Sequence, residues 1–212
     1  MEPVLFYDKD RPFYEFTNFY DRAPFIDTTR RQWKTSEHYF QAHKFESPAL
    51  QEEVRNLPFA RDAFDFTRRR PADVRKDWRD KNLAIMWDAL YFKFTQNPHA
   101  LRCLLETGNR RLVEHTVKDN FWGDGGDGSG QNKLGQMLMD LRTHLRQHPP
   151  AAPAPAPALA FASGPGAYAP APMAYARVPG AVAQPGGYGG IPMLDLPDPL
   201  RGPLRNICFD EP

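Results

Sequence analysis

Glu37, Gln41 and Lys44 fall at i, i+4 and i+7 of the stretch Trp33-Lys34-Thr35-Ser36-Glu37-His38-Tyr39-Phe40-Gln41-Ala42-His43-Lys44-Phe45. On a helix turning about 100° per residue, they place a carboxylate, an amide and an amine in one narrow stripe, with Phe40 on one flank and Phe45 towards the other. Read as ordinary surface, the stripe is a solvated face whose Glu-to-Lys pair contributes roughly a few tenths of a kcal/mol. Read as a pocket wall, it is a desolvated lysine between aromatic rings beside an acid. Desolvation lowers an amine's proton affinity and makes it a usable nucleophile.

Two further stretches carry possible chemistry. Residues 119–132 (Asp-Asn-Phe-Trp-Gly-Asp-Gly-Gly-Asp-Gly-Ser-Gly-Gln-Asn) open onto an expected helix start near Asn132, and glycine lets main-chain amides approach a ligand closely. That arrangement is a candidate anion cradle, with a plain surface turn as the alternative. It is not a P-loop, because the Gly-Lys-Ser/Thr ending is absent, and its acids do not alternate as in an EF-hand. The basic run Arg68, Arg69, Arg70, Arg75, Lys76 and Arg79 is a solvated cluster by default, yet guanidinium groups also partner phosphate oxygens. A phosphorylated ligand would use all three stretches together.

The elements that must position these residues are mostly helical. Thr35 or Ser36 caps the first helix, and Pro48 marks its far limit. Residues 47–56 read as a second short helix, and residues 59–70 are mixed. A long helix is expected over residues 73–96, apolar on two sides and therefore central. Another covers residues 99–106, stopped by a left-handed cap at Gly108. The last helix carries Leu134, Leu138, Leu141 and Leu145 on one face. The β content is minor. Residues 4–7 are β-prone, residues 13–20 are a strand or an aromatic loop, and Phe25-Ile26-Asp27 with Arg31-Gln32-Trp33 form the arms of a small hairpin. A small sheet is thus expected ahead of the helices, and residues 111–117 alternate like a further strand.

With 212 residues, 41% hydrophobic and 13% aromatic, the chain can bury one ordinary core. A net charge of +1 confines any nucleic-acid contact to a local patch. Cys103 and Cys208 suggest neither a disulfide framework nor a thiolate metal site, which fits a reducing compartment. With no leader-like N-terminus and no stretch long enough to span a membrane, a cytoplasmic protein is expected. His38 and His43 read as structural histidines, His99 and His115 are uninformative, and no metal or cofactor is expected. From Pro149 the composition turns to Ala, Pro, Gly and Tyr, with Arg177 the only charge through Leu194. The expected organisation is one domain over residues 1–148 and a disordered tail over residues 149–212, whose partner the sequence does not name.

Taken together, Asn18-Phe19, residues 35–45, Arg79, Lys93-Phe94, Thr107-Gly108, Glu114, Asp119, Trp122-Gly123, Gly125, Gly128, Gly130, Asn132, Leu134-Gly135 and Leu141-Arg142 resemble the NADAR family, also called YbiA-like, over roughly residues 4–147. The resemblance implies a mainly α fold with a minor β hairpin or sheet, and an N-glycosidase that hydrolyses the bond between ribose C1 and nitrogen. Its substrates would be phosphoribosylamino-pyrimidine intermediates of riboflavin synthesis or ADP-ribose attached to guanine in nucleic acid. A binding module that recognises ADP-ribose without cleaving it is the other class. The resemblance makes Lys44 the amine that attacks the anomeric carbon and forms a Schiff base, and Glu37 the proton shuttle. Asp119 would position water or bind ribose hydroxyls, and Trp122 would stack on the base or wall the pocket. Asn18, Gln41 and Asn132 would offer hydrogen bonds, Arg79 would meet phosphate, and Gly123, Gly125 and Gly128 would turn amides to phosphate. Two departures stand out: residues 27–31 lack the glycine frequent in this turn, and Lys34 replaces a frequent proline.

Overall fold

Hydroxyl and proline signals set several of the helix starts. The computed structural model describes residues 1–150, so the expected tail lies outside the described residues. Of the two possible caps, Thr35 serves: its side chain accepts from His38 N at 3.2 Å and starts α1 (Ser36–Ala42). Ser47 caps Leu50 N, with Pro48 in the first turn of α2 (Pro48–Asn56). Residues 59–70, read as mixed, instead form α3 (Ala60–Arg68), where Asp62 accepts from Phe59 N at 3.2 Å. Its buried side is Ala60, Ala63, Phe66 and Thr67, one helical face on which Phe66 is the only large apolar side chain.

Pro71–Asp73 is a one-turn 3-10 helix, so α4 (Trp78–Gln96) starts later than expected. It is followed by α5 (Pro98–Glu106), which ends at Gly108 with φ +62°, and by α6 (Lys133–Gln147), which buries the four expected leucines and Met137. The central position expected for α4 is observed: it packs on α1, α5 and α6. Among the described residues, no helix is long and apolar enough to cross a membrane.

The strands add one pairing that residue spacing does not give. β1 (Val4–Phe6) pairs in parallel with β4 (Leu112–Glu114), Val4 opposite Leu112, so that sheet joins the start of the domain to its end. Alternating burial specifies which face of β1 is inward but not which partner it takes. Residues 13–20 are loop around a 3-10 turn, Tyr14–Phe16. The hairpin is as expected, with β2 (Phe25–Ile26) antiparallel to β3 (Gln32–Trp33).

Asp27 organises the hairpin turn. Its Oδ1 accepts from Thr29 N at 2.8 Å and Arg31 N at 3.0 Å, and its Oδ2 accepts from Trp33 Nε1 at 2.9 Å. That geometry holds Arg30 at φ +64°, a left-handed conformation that disfavours a side chain and explains the glycine frequent in this turn. Replacing Arg30→Gly is expected to stabilise the protein by about 0.5–1 kcal/mol, read as a higher Tm. An unchanged or lower Tm would mean that this turn is not strained. The other departure is functional locally, since Lys34 Nζ donates to Asn56 O at 3.1 Å and ties the hairpin to the end of α2.

Two motif pairs prove structural. Buried Arg142 donates to Thr107 Oγ1 at 2.6 Å and Arg110 O at 3.0 Å, clamping α6 to the end of α5. At Gly135, an added Cβ would stand 2.2 Å from Leu112 O on β4. Gly135→Ala is therefore expected to destabilise the fold by about 1–3 kcal/mol, which denaturant titration would measure. A neutral effect would contradict this close packing of α6 on β4.

Candidate active site

Three polar residues converge along α1. Glu37 and Gln41 are 5% and 3% exposed, and Gln41 Nε2 donates to Glu37 Oε1 at 2.8 Å. The Glu37 amide donates to Asn18 O at 3.0 Å, which brings the 8% exposed Asn18 alongside. Asn18 Oδ1 and Gln41 Oε1 are both buried without a protein partner. A buried acceptor without a donor is costly, and a bound substrate with N–H or O–H groups would satisfy both.

Lys44 is not on α1, which stops at Ala42. The chain tightens there as Lys44 N donates to Gln41 O at 3.2 Å, and Arg75 N donates to Lys44 O at 2.8 Å beside the isolated Phe45–Val74 bridge. The turn still directs the amine onto the Glu37 side. Nζ lies 5.7 Å from the Phe40 ring centroid and 5.6 Å from that of Trp78. Phe40 meets Trp78 edge-on at 4.8 Å and Trp122 at 5.4 Å, so Trp122 continues the aromatic wall from the glycine-rich loop.

This enclosure changes the proton affinities. Burial pushes the Lys44 amine below its ordinary range, while the Glu37 charge draws it part of the way back. Burial pushes the Glu37 carboxyl up, opposed by the Gln41 hydrogen bond and the Lys44 charge and reinforced by Asp119. The pair is a weakened base beside a weakened acid, so exchanging a proton between them costs less than in water.

The glycine-rich loop does not have the anticipated form. Gly125 N donates to Asp119 O, Gly128 N and Gly130 N donate to Asp124 O, and Gly126 N donates to Asp124 Oδ1. Lys133 N and Leu134 N at the start of α6 are taken by Phe121 O and Trp122 O. These amides close the loop on itself and are not turned to phosphate, which corrects the anion-cradle reading for Gly125 and Gly128. Gly123 is a packing glycine, because a Cβ there would meet Glu114 O at 2.9 Å. Asn132 is likewise structural: Oδ1 accepts from Glu114 N and Nδ2 donates to Leu112 O, both at 2.9 Å. Asp119 Oδ1 accepts from Phe121 N at 2.8 Å and Trp122 N at 2.7 Å, so this carboxylate sets the Trp122 wall while its charge faces Glu37.

Comparison with known proteins now decides the family. The NADAR domain model matches residues 5–146. The chain belongs to the NADAR family. It is 41% identical over 142 residues to the N-glycosidase YbiA of Escherichia coli, covering 67% of this chain and 88% of that one. It is also 41% identical over 149 residues to a riboflavin biosynthesis protein of Vibrio vulnificus, of which it spans only 40%. The NMR structure of E. coli YbiA superposes with a TM-score of 0.62 at 38% identity, over 69% of this chain and 88% of that one. The mainly α architecture with minor β pairing is thus that of YbiA.

Within this NADAR site, the tertiary structure adds three residues that sequence reasoning gave no role. Burial, with the charges of Asp119, Glu37 and Asp124, pushes the Glu114 carboxyl on β4 up to about 8. Lys93 on α4 is fully enclosed, with Nζ donating to Thr17 O at 2.8 Å, and burial lowers its amine to about 7 against the pull of Glu15. Having no opening to solvent, Lys93 holds the Thr17–Asn18 segment, whereas half-buried Lys44 is reachable. Arg61 on α3 is exposed, yet its charge reaches Glu37. Both Glu114 and Lys93 stand at motif positions, but nothing in their sequence neighbourhoods says that folding half-buries the one and encloses the other.

The basic run is only partly available. Arg75 pairs with Asp77 at 2.5 Å, and Arg70 stacks over Phe66 at 4.3 Å and approaches Glu53 at 4.0 Å. Arg79 remains exposed on the first turn of α4, next to Trp78.

Proposed function

We propose that this NADAR chain is an N-glycosidase that hydrolyses the ribose C1–N bond of a phosphorylated N-riboside. The observation that carries the reading is the Lys44 amine held between the Phe40 and Trp78 rings with Glu37 beside it. Membership of the family, and relatives named N-glycosidase, support hydrolysis of an N-glycosyl bond. Recognition alone needs no weakened amine next to a weakened acid, which disfavours the pure binding module.

Neutral Lys44 attacks the anomeric carbon, and Glu37 takes up the proton that the amine loses. The C1–N bond breaks with its electron pair going to the base nitrogen, which receives a proton from Glu114, a carboxylic acid at neutral pH. Nitrogen then opens the sugar ring, the ring oxygen taking the Glu37 proton, to give a Schiff base. Water adds to that carbon and releases the sugar and the free amine, the proton set free in this step returning to the Glu114 carboxylate. The sum is N-riboside plus water giving ribose phosphate plus base. No cofactor enters this scheme. Unpartnered Asn18 Oδ1 and Gln41 Oε1 suit donors on the base or sugar, Trp122 walls the base, and Arg61 and Arg79 offer charge to phosphate.

The substrate proposed first is the phosphoribosylamino-pyrimidine type, because relatives carry riboflavin-biosynthesis names. The second is ADP-ribosyl-guanine in nucleic acid, which the exposed arginines at 69 and 79 favour as phosphate contacts. Turnover of the two substrates side by side, at rising salt, tests the choice. Nucleic acid requires activity that falls steeply with salt, and the free nucleotide-like substrate requires a shallow dependence. Failure on both would remove the reading.

A further inference from the structure

Glu15, His99 and Cys103 form a cluster that the reaction does not use. His99 and Cys103 are one turn apart on α5 (i, i+4), and Glu15 comes from the Tyr14–Phe16 turn packed against it. His99 Nε2 is 3.4 Å from Glu15 Oε1 and 3.8 Å from Cys103 Sγ, and all three ligand atoms lie within 4.8 Å of one another. The 3.4 Å between His99 and Glu15 is long for a hydrogen bond, N–H···O distances centring on about 2.9–3.0 Å. The two distances from His99 are close to the edges of a metal tetrahedron instead. With Zn–N and Zn–O near 2.0–2.1 Å and Zn–S near 2.3 Å, tetrahedral angles require about 3.4 Å between N and O and about 3.6 Å between N and S.

We propose that Glu15, His99 and Cys103 bind one divalent ion of zinc's preferences, the fourth position being filled by water. The thiolate, imidazole and carboxylate set suits a borderline-soft ion and not magnesium or calcium. Glu15 and Cys103 are half-buried and His99 is exposed, so the site opens to solvent on the His99 side. The bound ion would tie the Tyr14–Phe16 turn to α5.

Cobalt(II) is the probe, added to the full reduced chain carrying Cys208→Ser so that Cys103 is the sole thiol. The expected result is one equivalent bound, with near-ultraviolet thiolate-to-cobalt absorption and visible bands of tetrahedral intensity, displaced by zinc. Cys103→Ala should abolish the thiolate absorption, and His99→Ala should weaken binding by about tenfold or more, each with unchanged metal-free circular dichroism. Zinc should raise the parent's Tm and leave that of a variant carrying both Cys103→Ala and His99→Ala unmoved. Absence of the thiolate band, or zinc affinity indifferent to both substitutions, would overturn the site.

Discussion

Lys44→Ala is expected to lose turnover by a factor on the order of 10³ or more while the protein stays folded. The fold survives because the Lys44 backbone is held by Gln41 O and Arg75 N, neither of which depends on the side chain. What disappears in stability terms is one amine over two rings, about 0.5–2 kcal/mol. Lys44→Arg separates charge from nucleophilicity: it restores a cation between Phe40 and Trp78 but has no amine to attack carbon, so it should be as inactive as alanine. Borohydride added during turnover should fix a sugar phosphate to the parent and not to either variant. Because burial lowers the Lys44 amine, the active neutral form gains with pH from below the ordinary lysine range, and kcat/KM should rise over that interval. Turnover of Lys44→Ala within about tenfold of the parent would end the Schiff-base scheme, whatever the substrate.

The second large effect belongs to Glu114. Its carboxyl, raised to about 8, is protonated at pH 7 and loses its proton as pH rises through that value. As a proton donor to the departing base it imposes an alkaline limb, so kcat/KM should fall above about 8. Glu114→Gln should lower kcat by about 10²–10⁴-fold and remove that limb, since the amide cannot donate a transferable proton. The same shift bears on stability with a definite sign. The folded-state value lies above the unfolded 4.5, so folding binds the proton more tightly, and the contribution is full below about 4.5 and lost as pH rises through about 8. The upper bound is on the order of 5 kcal/mol. Glu114→Gln should therefore lose Tm less steeply than the parent between pH 6 and about 9. An unchanged alkaline limb would assign it to another group and return Glu114 to a structural role.

Glu37 and Glu114 illustrate how environment divides labour among carboxylates. Asp119 faces both, but its Oδ1 is committed to the Phe121 and Trp122 amides. Its contribution is to aim Trp122 and to keep the proton affinity of its neighbours high. The glycine-rich loop works in the same indirect way. Its amides are spent on Asp124 and Asp119, and the result is a rigid frame for Trp122 and the start of α6.

The sequence by itself determined the local devices: the Thr35 and Ser47 caps, the Asp27 hairpin, the Gly108 stop, the leucine face of α6, and the grouping of Glu37 with Gln41. Each depends on contacts within a few residues, where spacing and chemistry leave few alternatives. The motif set also identified the family. Only the tertiary structure decided that β1 pairs with β4 across more than a hundred residues, that residues 60–68 are helical, and that Lys44 reaches its acid from a turn beyond α1. It also decided that Asn132 and Gly123 pack inward, that the Gly125 and Gly128 amides are spent within the loop, and that half-buried Glu114 stands among other carboxylates. Proton affinity and hydrogen-bond supply are set by whatever the folded chain packs against a group, and that neighbourhood is assembled from segments far apart in sequence.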